Sequence, residues 1–163
     1  MITLRQLCEF CSTDETRQDL IAPFVIDQYT IATDGRTMVA ATGNFYYTKP
    51  AGEELAMKVK REYLAKFPTD PTVKWEQRDW LRPLETEQCS DCDGDGCDEC
   101  DLTGRTFLSK TLNIGCRQLN YEYLIRIQRL LGVMFAVEFG GEMDPLPFKF
   151  DGGIGFLMPM RKS

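Results

Sequence analysis

The sequence predicts an α+β fold carrying a small metal-binding lobe. Three observations lead there. Residues near the N-terminus and over 121–131 repeat apolar side chains at helical spacing. Residues 24–42 and the stretch from 133 onward break into short β-rich runs separated by Gly, Asp and Pro. Between them, "CSDCDGDGCDEC" (89–100) places four of the seven cysteines in two CxxC pairs.

The first element is a helix over 3–17, with Thr3 as cap. Leu4, Leu7, Cys8 and Cys11 fall at i, i+3, i+4 and i+7 and make its apolar face, while Arg5, Gln6, Glu9 and Ser12 take the other. Cys8-x-x-Cys11 resembles a metal-binding pair, but on that face both cysteines read as small buried hydrophobes. Next, "FVIDQYTIATDGRTMVAAT" reads as two β runs joined through the tight-turn dipeptide Asp34-Gly35. Residues 53–67 form a second helix, acidic at its start and basic toward its end as the helix dipole favours, and Pro68 and Pro71 end it. "RTFLSKTLNIG" leads out of the cysteine stretch as a strand. Cys116, alone before the third helix, reads as packing rather than as a nucleophile. Asn120 caps that helix, 121–131, whose Leu124, Ile127, Leu130 and Leu131 point inward while Glu122, Arg126 and Arg129 share a polar face. Strands at 133–139, 146–150 and 154–160 follow, with "GGEMDP" and "DGG" as turns.

The formal net charge of −6 is unevenly distributed. Glu85, Glu87, Asp91, Asp93, Asp95, Asp98, Glu99 and Asp101 place eight of the 25 acids in one window without a Lys or Arg, so the remaining 17 acids face all 19 bases and the rest of the chain is formally +2. An acidic lobe thus sits on a mildly basic body. No run approaches the roughly 20 apolar residues that span a bilayer, so no membrane association is expected. The N-terminus lacks a signal-peptide layout. With seven cysteines, a reducing, cytoplasmic location is expected.

Cys89-x-x-Cys92-x4-Cys97-x-x-Cys100 has the spacing of a four-thiolate site. Two knuckles each bring a pair of sulfurs to one ion, and Zn2+ accepts four at about 2.3 Å. Gly94 and Gly96 let the chain fold tightly between them. A closed sulfur shell leaves no coordination position for water or substrate, and a chain with no histidine lacks the usual ligand of catalytic zinc, so one structural zinc per chain is expected. An iron–sulfur cluster is the alternative by ligand type. The stretch also parses as two tandem CxxCxGxG units, "CSDCDGDG" and "CDECDLTG", and resembles the zinc knuckles of DnaJ-type co-chaperones; Leu102 stands where the second unit's first glycine would be. That resemblance implies zinc and not chaperone activity. Acidity and the anionic metal–thiolate centre argue against phosphate binding by the lobe.

The body offers no phosphate loop, no GxSxG and no histidine base, and no enzyme is expected. "TIATDGRTMVAA" (30–41) and the terminal "GFLMPMRKS" resemble the "ATDGHRLA" segment and the C-terminal "YVVMPMRL" of bacterial sliding clamps, the DNA polymerase III β subunit. The match covers 3–43 and 107–161 and leaves 44–106 as an insertion carrying a helix and, at about 85–104, the zinc knuckle. The resemblance implies a single clamp-like domain, two helices on one face of curved antiparallel sheets in two pseudo-symmetric halves. It implies DNA replication or repair as the setting, with replication and repair proteins, sequence-independent DNA and a homo-oligomer as partners.

In clamps the two segments line a hydrophobic cleft that captures short peptides, which carries over here to Thr33, Gly35, Met38, Met158, Pro159, Met160 and Arg161. Arg36-Thr37-Met38 replaces the usual His-Arg-Leu, and Lys162-Ser163 extend the tail. Because clamp segments of this kind belong to adjacent domains, such a cleft is expected to need a neighbouring subunit. The plainer expectation is that Met158 and Met160 bury in the last strand. The clamp comparison also implies DNA contacts on helix faces through Arg5 and Arg17 on the first helix and Arg126 and Arg129 on the later one; Glu9 and Glu122 dilute those faces. The competing function is a protein-interaction adaptor or inhibitor module that docks through its acidic zinc lobe.

Overall fold

The computed structural model describes residues 2–43, 45, 48–78, 86–100, 102–107 and 110–161. In chain order the helices and strands are α1 (Leu4–Cys8), β1 (Phe24–Ile26), β2 (Tyr29–Thr33), β3 (Thr37–Thr42), β4 (Lys49–Pro50), α2 (Glu53–Glu62), β5 (Thr86–Gln88), β6 (Arg105–Phe107), β7 (Thr111–Ile114), β8 (Arg117–Asn120), α3 (Tyr121–Gln128), β9 (Met134–Phe135), β10 (Leu146–Phe150) and β11 (Gly153–Leu157). The α+β expectation holds.

Seven strands form one sheet in the order β4-β1-β2-β3-β11-β10-β9. The meanders β1–β2–β3 and β9–β10–β11 meet where β3 pairs antiparallel with β11, from Ala41↔Gly153 to Thr37↔Leu157. The sheet is mixed rather than purely antiparallel, because the edge strand β4 runs parallel to β1. Strand alternation sends successive residues of the central strands to opposite faces. Ala32, Val39, Ala41 and Leu157 join one core with Leu7 and Phe10 from the α1 region, Leu124 and Ile127 of α3, and Ile114 and Leu119 of the β7–β8 hairpin. Ile31, Met38, Ala40 and Phe156 join a second core beneath Val59 and Leu55 of α2. Helices α1 and α3 therefore share a face, and α2 covers the other. At Gly155 a Cβ would lie 2.2 Å from the Phe148 ring, so "GIG" in β11 makes room for the aromatic side chains of β10.

The first helix is shorter than its periodicity predicts. It stops at Cys8, capped at Thr3 by a reciprocal Thr3–Gln6 capping box. Beyond it the chain turns: Asp14 accepts from the backbone N–H and hydroxyl of Thr16, at 2.9 and 2.6 Å, a local bonding pattern that competes with helix. Cys8 is consequently exposed while Cys11 is buried, which corrects the expectation that both bury. Cys116 is exposed too, at the β7–β8 turn. "RTFLSKTLNIG" holds two strands, β6 and β7, that belong to different sheets.

Within the 44–106 segment, described residues ahead of the lobe are tied to the main sheet. β4 extends the main sheet, α2 seals one of its faces, and Glu76 exchanges backbone hydrogen bonds of 2.9 and 2.8 Å with Phe135. Trp75 stacks on Phe67 and lies under Lys149 of β10, 4.6 Å from the ring centroid. The lobe stands on its own two-stranded stem, β5–β6.

Candidate metal centre and apolar groove

The stem of the lobe is a two-stranded ladder, Thr86↔Phe107 to Gln88↔Arg105. Arg105 locks it by donating from Nε to Thr86 Oγ1 at 2.8 Å and from Nη2 to Thr86 O at 2.9 Å. Cys89 N–H donates to Gly104 O at 3.0 Å and closes the base, while the Gln88 side chain donates to Asp93 O.

Above this stem the two knuckles repeat each other. Gly96 N–H points at Cys92 Sγ at 3.1 Å, and Gly104 N–H at Cys100 Sγ at 3.2 Å. A Cβ on Gly96 would sit 2.8 Å from Leu102 O, and one on Gly104 2.1 Å from Gly94 O, so each knuckle's second glycine packs against the other knuckle's backbone. Leu102, which replaces a glycine in the second unit, adopts the same left-handed backbone as Gly94, with φ of +62° against +92°.

The repeat brings Cys89, Cys92, Cys97 and Cys100 into one group whose sulfurs all lie within 4.8 Å of one another. Three separations, Cys89–Cys97, Cys92–Cys100 and Cys97–Cys100, are 3.8 Å. That is too long for a disulfide, with its bond of about 2.05 Å. It matches the edge of a tetrahedron with metal–sulfur bonds of about 2.3 Å, roughly 3.8 Å. The four residues can hold a metal ion. Backbone N–H groups of Cys97 foremost and Gly104 bring the Cys100 thiol down to about 6, toward the thiolate that a metal requires. Cys11 goes the opposite way: burial foremost, with Cys8 and Asp34 nearby, pushes it up to about 12. Among the described residues, Cys8 and Cys11 belong to no group of three or more metal-ligating side chains.

The second site lies at the β3–β11 junction. The Asp34-Gly35 turn is held by Asp34 Oδ1, which accepts from the N–H of Arg36 at 2.9 Å and of Thr37 at 2.8 Å. Thr33 Oγ1 accepts from Gly35 N–H at 3.0 Å. Met158 N–H donates to Arg36 O, and Met160 N–H to Gln118 O, both at 2.8 Å, so the tail continues past β11 and crosses from β3 toward β8. Thr33, Gly35, Met38 and Met158 thereby come together in one groove with Leu20, Leu55, Lys58, Val59, Tyr63 and Phe156. Gly35 and Met158 also border a second depression with Tyr123, Pro159, Met160 and Arg161. The two segments meet within one chain because β3 and β11 are hydrogen-bonded neighbours, and no second subunit is needed to form the groove. Nor do Met158 and Met160 bury in a strand: β11 ends at Leu157, Met158 is half-buried and Met160 is exposed.

The four arginines differ in their surroundings. Arg17 lies outside α1; its Nη1 donates to Asp34 O at 2.8 Å and clamps the turn. Arg126 Nη1 donates to Glu9 O at 2.9 Å, tying α3 to the end of α1, and its guanidinium lies over the Tyr123 ring. Arg5 and Arg129 are exposed. Two further roles lie beyond what sequence reasoning found. Arg117 is fully buried and donates to the carbonyls of Asp144, Val137 and Phe139, pinning the loop before β10. The α2 residues Leu55, Lys58 and Val59 line the groove; their i, i+3, i+4 spacing marks a shared face, but nothing local shows which sheet face it covers.

Glu85, Asp101, Lys162 and Ser163 lie outside the described residues. No helix among those described is long and apolar enough to cross a membrane. No family model, curated protein or solved structure matches the chain.

Proposed function

We propose that the protein is a zinc-stabilised recognition module with a sliding-clamp-like body, working by binding rather than by catalysis. In this reading it captures short apolar segments of replication or repair proteins in the groove at the β3–β11 junction. One observation carries it. The "TDG" turn and the "MPM" tail, more than a hundred residues apart in sequence, are neighbours on the groove wall within one chain, which supports reading them as one capture surface although clamps place the two segments in adjacent domains. The groove holds about 90 Å³, well under the roughly 300–1,000 Å³ of small-molecule pockets, and so suits an inserted side chain. Flexible Met38 and Met158 on its wall fit varied apolar partners.

The metal is taken as one structural zinc. A single ion accounts for the tight sulfur spacing, whereas a cluster places thiolates on different irons and spreads them apart. Elemental analysis is expected to give about one zinc per chain, and iron with a brown colour would overturn this.

The peptide reading is tested by selecting a displayed random-peptide library on the full-length protein. Selected peptides are expected to be apolar and to lose binding in Met158→Glu; unchanged binding by that variant removes the groove from the function. Sequence-independent DNA contact, resting on the exposed Arg5 and Arg129, is expected to raise the anisotropy of labelled duplex at low salt and to vanish at high salt. Absence of binding at both removes DNA from the reading.

A further inference from the structure

We propose that the groove accepts the tip of the four-cysteine lobe of a second copy of this chain, with Leu102 as the inserted side chain. This rests on the reading of the groove as a capture site and names its occupant. Leu102 is 74% exposed, the most exposed of the large apolar side chains among the described residues. It stands in the second knuckle where the first has Gly94, in a left-handed conformation that costs a leucine on the order of 1–2 kcal/mol. A glycine would satisfy the fold of the knuckle, so the leucine side chain serves something outside it. Among the described residues, none of the lobe lines the groove of its own chain.

The surfaces complement each other in shape and charge. The groove floor is apolar, with Leu20, Leu55, Val59 and Phe156, and its volume suits one branched side chain. Among the described residues, the charged ones lining it are Arg36 and Lys58, and the adjoining depression adds Arg161; no described carboxylate is in either lining. Asp34, beside them in sequence, turns its carboxylate onto the backbone of Arg36 and Thr37 and also meets the Tyr123 hydroxyl at the edge of the depression, so one locally bonded carboxylate borders the basic rim. The lobe presents Asp91, Asp93, Asp95 and Asp98 around the metal-binding knuckles. An exposed leucine on an acidic lobe thus has as its counterpart an apolar slot with Arg36 and Lys58 in its lining. Donor and acceptor surfaces are different, so the contact is head-to-tail and propagates into chains or closes into a ring.

Sedimentation velocity of the zinc-replete protein tests this over a range of concentrations at low and high salt. The wild type is expected to self-associate with concentration and to dissociate with salt. Leu102→Gly, matched to the backbone already present, is expected to weaken association on the order of ten- to a hundredfold, the loss for one buried leucine, while keeping its zinc. Exposed Lys58→Glu is expected to weaken it as well. Mixing the two is decisive, because Leu102→Gly keeps a groove and Lys58→Glu keeps a lobe tip: a discrete one-to-one dimer should form. A wild type monomeric throughout overturns the proposal, as does association that survives both substitutions or a mixture that stays monomeric. If the wild type is monomeric while library-selected peptides still bind and are lost in Met158→Glu, this inference fails and the capture reading stands. If neither binds, both fail.

Discussion

The lobe and the body solve the same problem with different chemistry. The body buries apolar side chains on both faces of one sheet: Leu124, Ile127, Phe135 and Phe148 are fully buried on one side, and Ile31 and Ala40 on the other. The lobe has only a three-residue ladder and four sulfurs, among acidic residues that repel one another. Below about 40 residues a chain cannot bury enough surface to stay folded unaided, and the lobe's four clustered cysteines can meet that limit by holding a metal ion. The metal centre should therefore be a local switch for the lobe, and the core a global one for the body. Removing the metal sets the sharpest contrast. Structural zinc in small domains contributes on the order of 10–16 kcal/mol of apparent binding energy. Replacing Cys92 and Cys97 by Ser is expected to abolish zinc binding and the amide protection of the lobe, leaving the main melting transition nearly unmoved. A body that melts much earlier in that variant would show the lobe to be integral to the core.

Phe148→Ala attacks the other side of the comparison. The ring is fully buried and packs against Phe135 and Phe150, at centroid distances of 6.0 and 6.4 Å. Its loss is expected to cost the body about 3–5 kcal/mol in chemical denaturation, with zinc content unchanged. Zinc lost in parallel would break the claimed independence.

Cysteine chemistry divides along the same line and gives a pH dependence. Cys11 is raised from 9.0 to about 12 by burial foremost. The folded body therefore holds this proton more tightly than the unfolded chain does. The contribution is complete below about pH 9 and is lost as pH rises toward 12. Burial foremost also raises Tyr63 and Tyr123, which add in the same direction. Stability is expected to fall across that alkaline range, less steeply in Cys11→Ala; an unchanged slope in that variant removes Cys11 as a cause. Iodoacetamide should label exposed Cys8 and Cys116 while sparing Cys11, as mass spectrometry would show.

How legible each part was follows from whether its cause is local. The knuckles were plain, because spacing between ligands in one short stretch is itself the geometry of the site. The Asp34-Gly35 hairpin and the Thr3 and Asn120 caps were equally plain, since each is a bond between near neighbours in sequence. The early end of α1 escaped the apolar periodicity of Leu4, Leu7 and Cys11, because the Asp14–Thr16 turn overrides it. The role of 45–78 escaped as well: β4, α2 and the Glu76–Phe135 bridge matter through strands far away in sequence. Arg117 looks like any surface arginine until the loop over 137–144 closes on it. Arg17 and Arg126 read as helix-face cations, and it takes the fold to bring the carbonyls of Asp34 and Glu9 against them.

The smallest effect separates folding from binding at a single position. Asn120 ends β8 and caps α3, accepting from Glu122 N–H at 2.8 Å, and it also lines the depression beside Arg36 and Arg161. Asn120→Ala leaves that N–H without its acceptor and is expected to cost about 1 kcal/mol, a loss of roughly 2–4 °C in melting temperature for a chain of this size. Asn120→Asp keeps an acceptor at the cap, where a negative charge suits the helix N-terminus, so melting should stay within about a degree of wild type by that magnitude. The same carboxylate stands where an acidic lobe would dock. Self-association should therefore weaken in Asn120→Asp, most clearly at low salt, and hold in Asn120→Ala. The opposite ranking would mean that the lobe approaches this end of the groove without charge, and that Lys58 alone carries the complementarity.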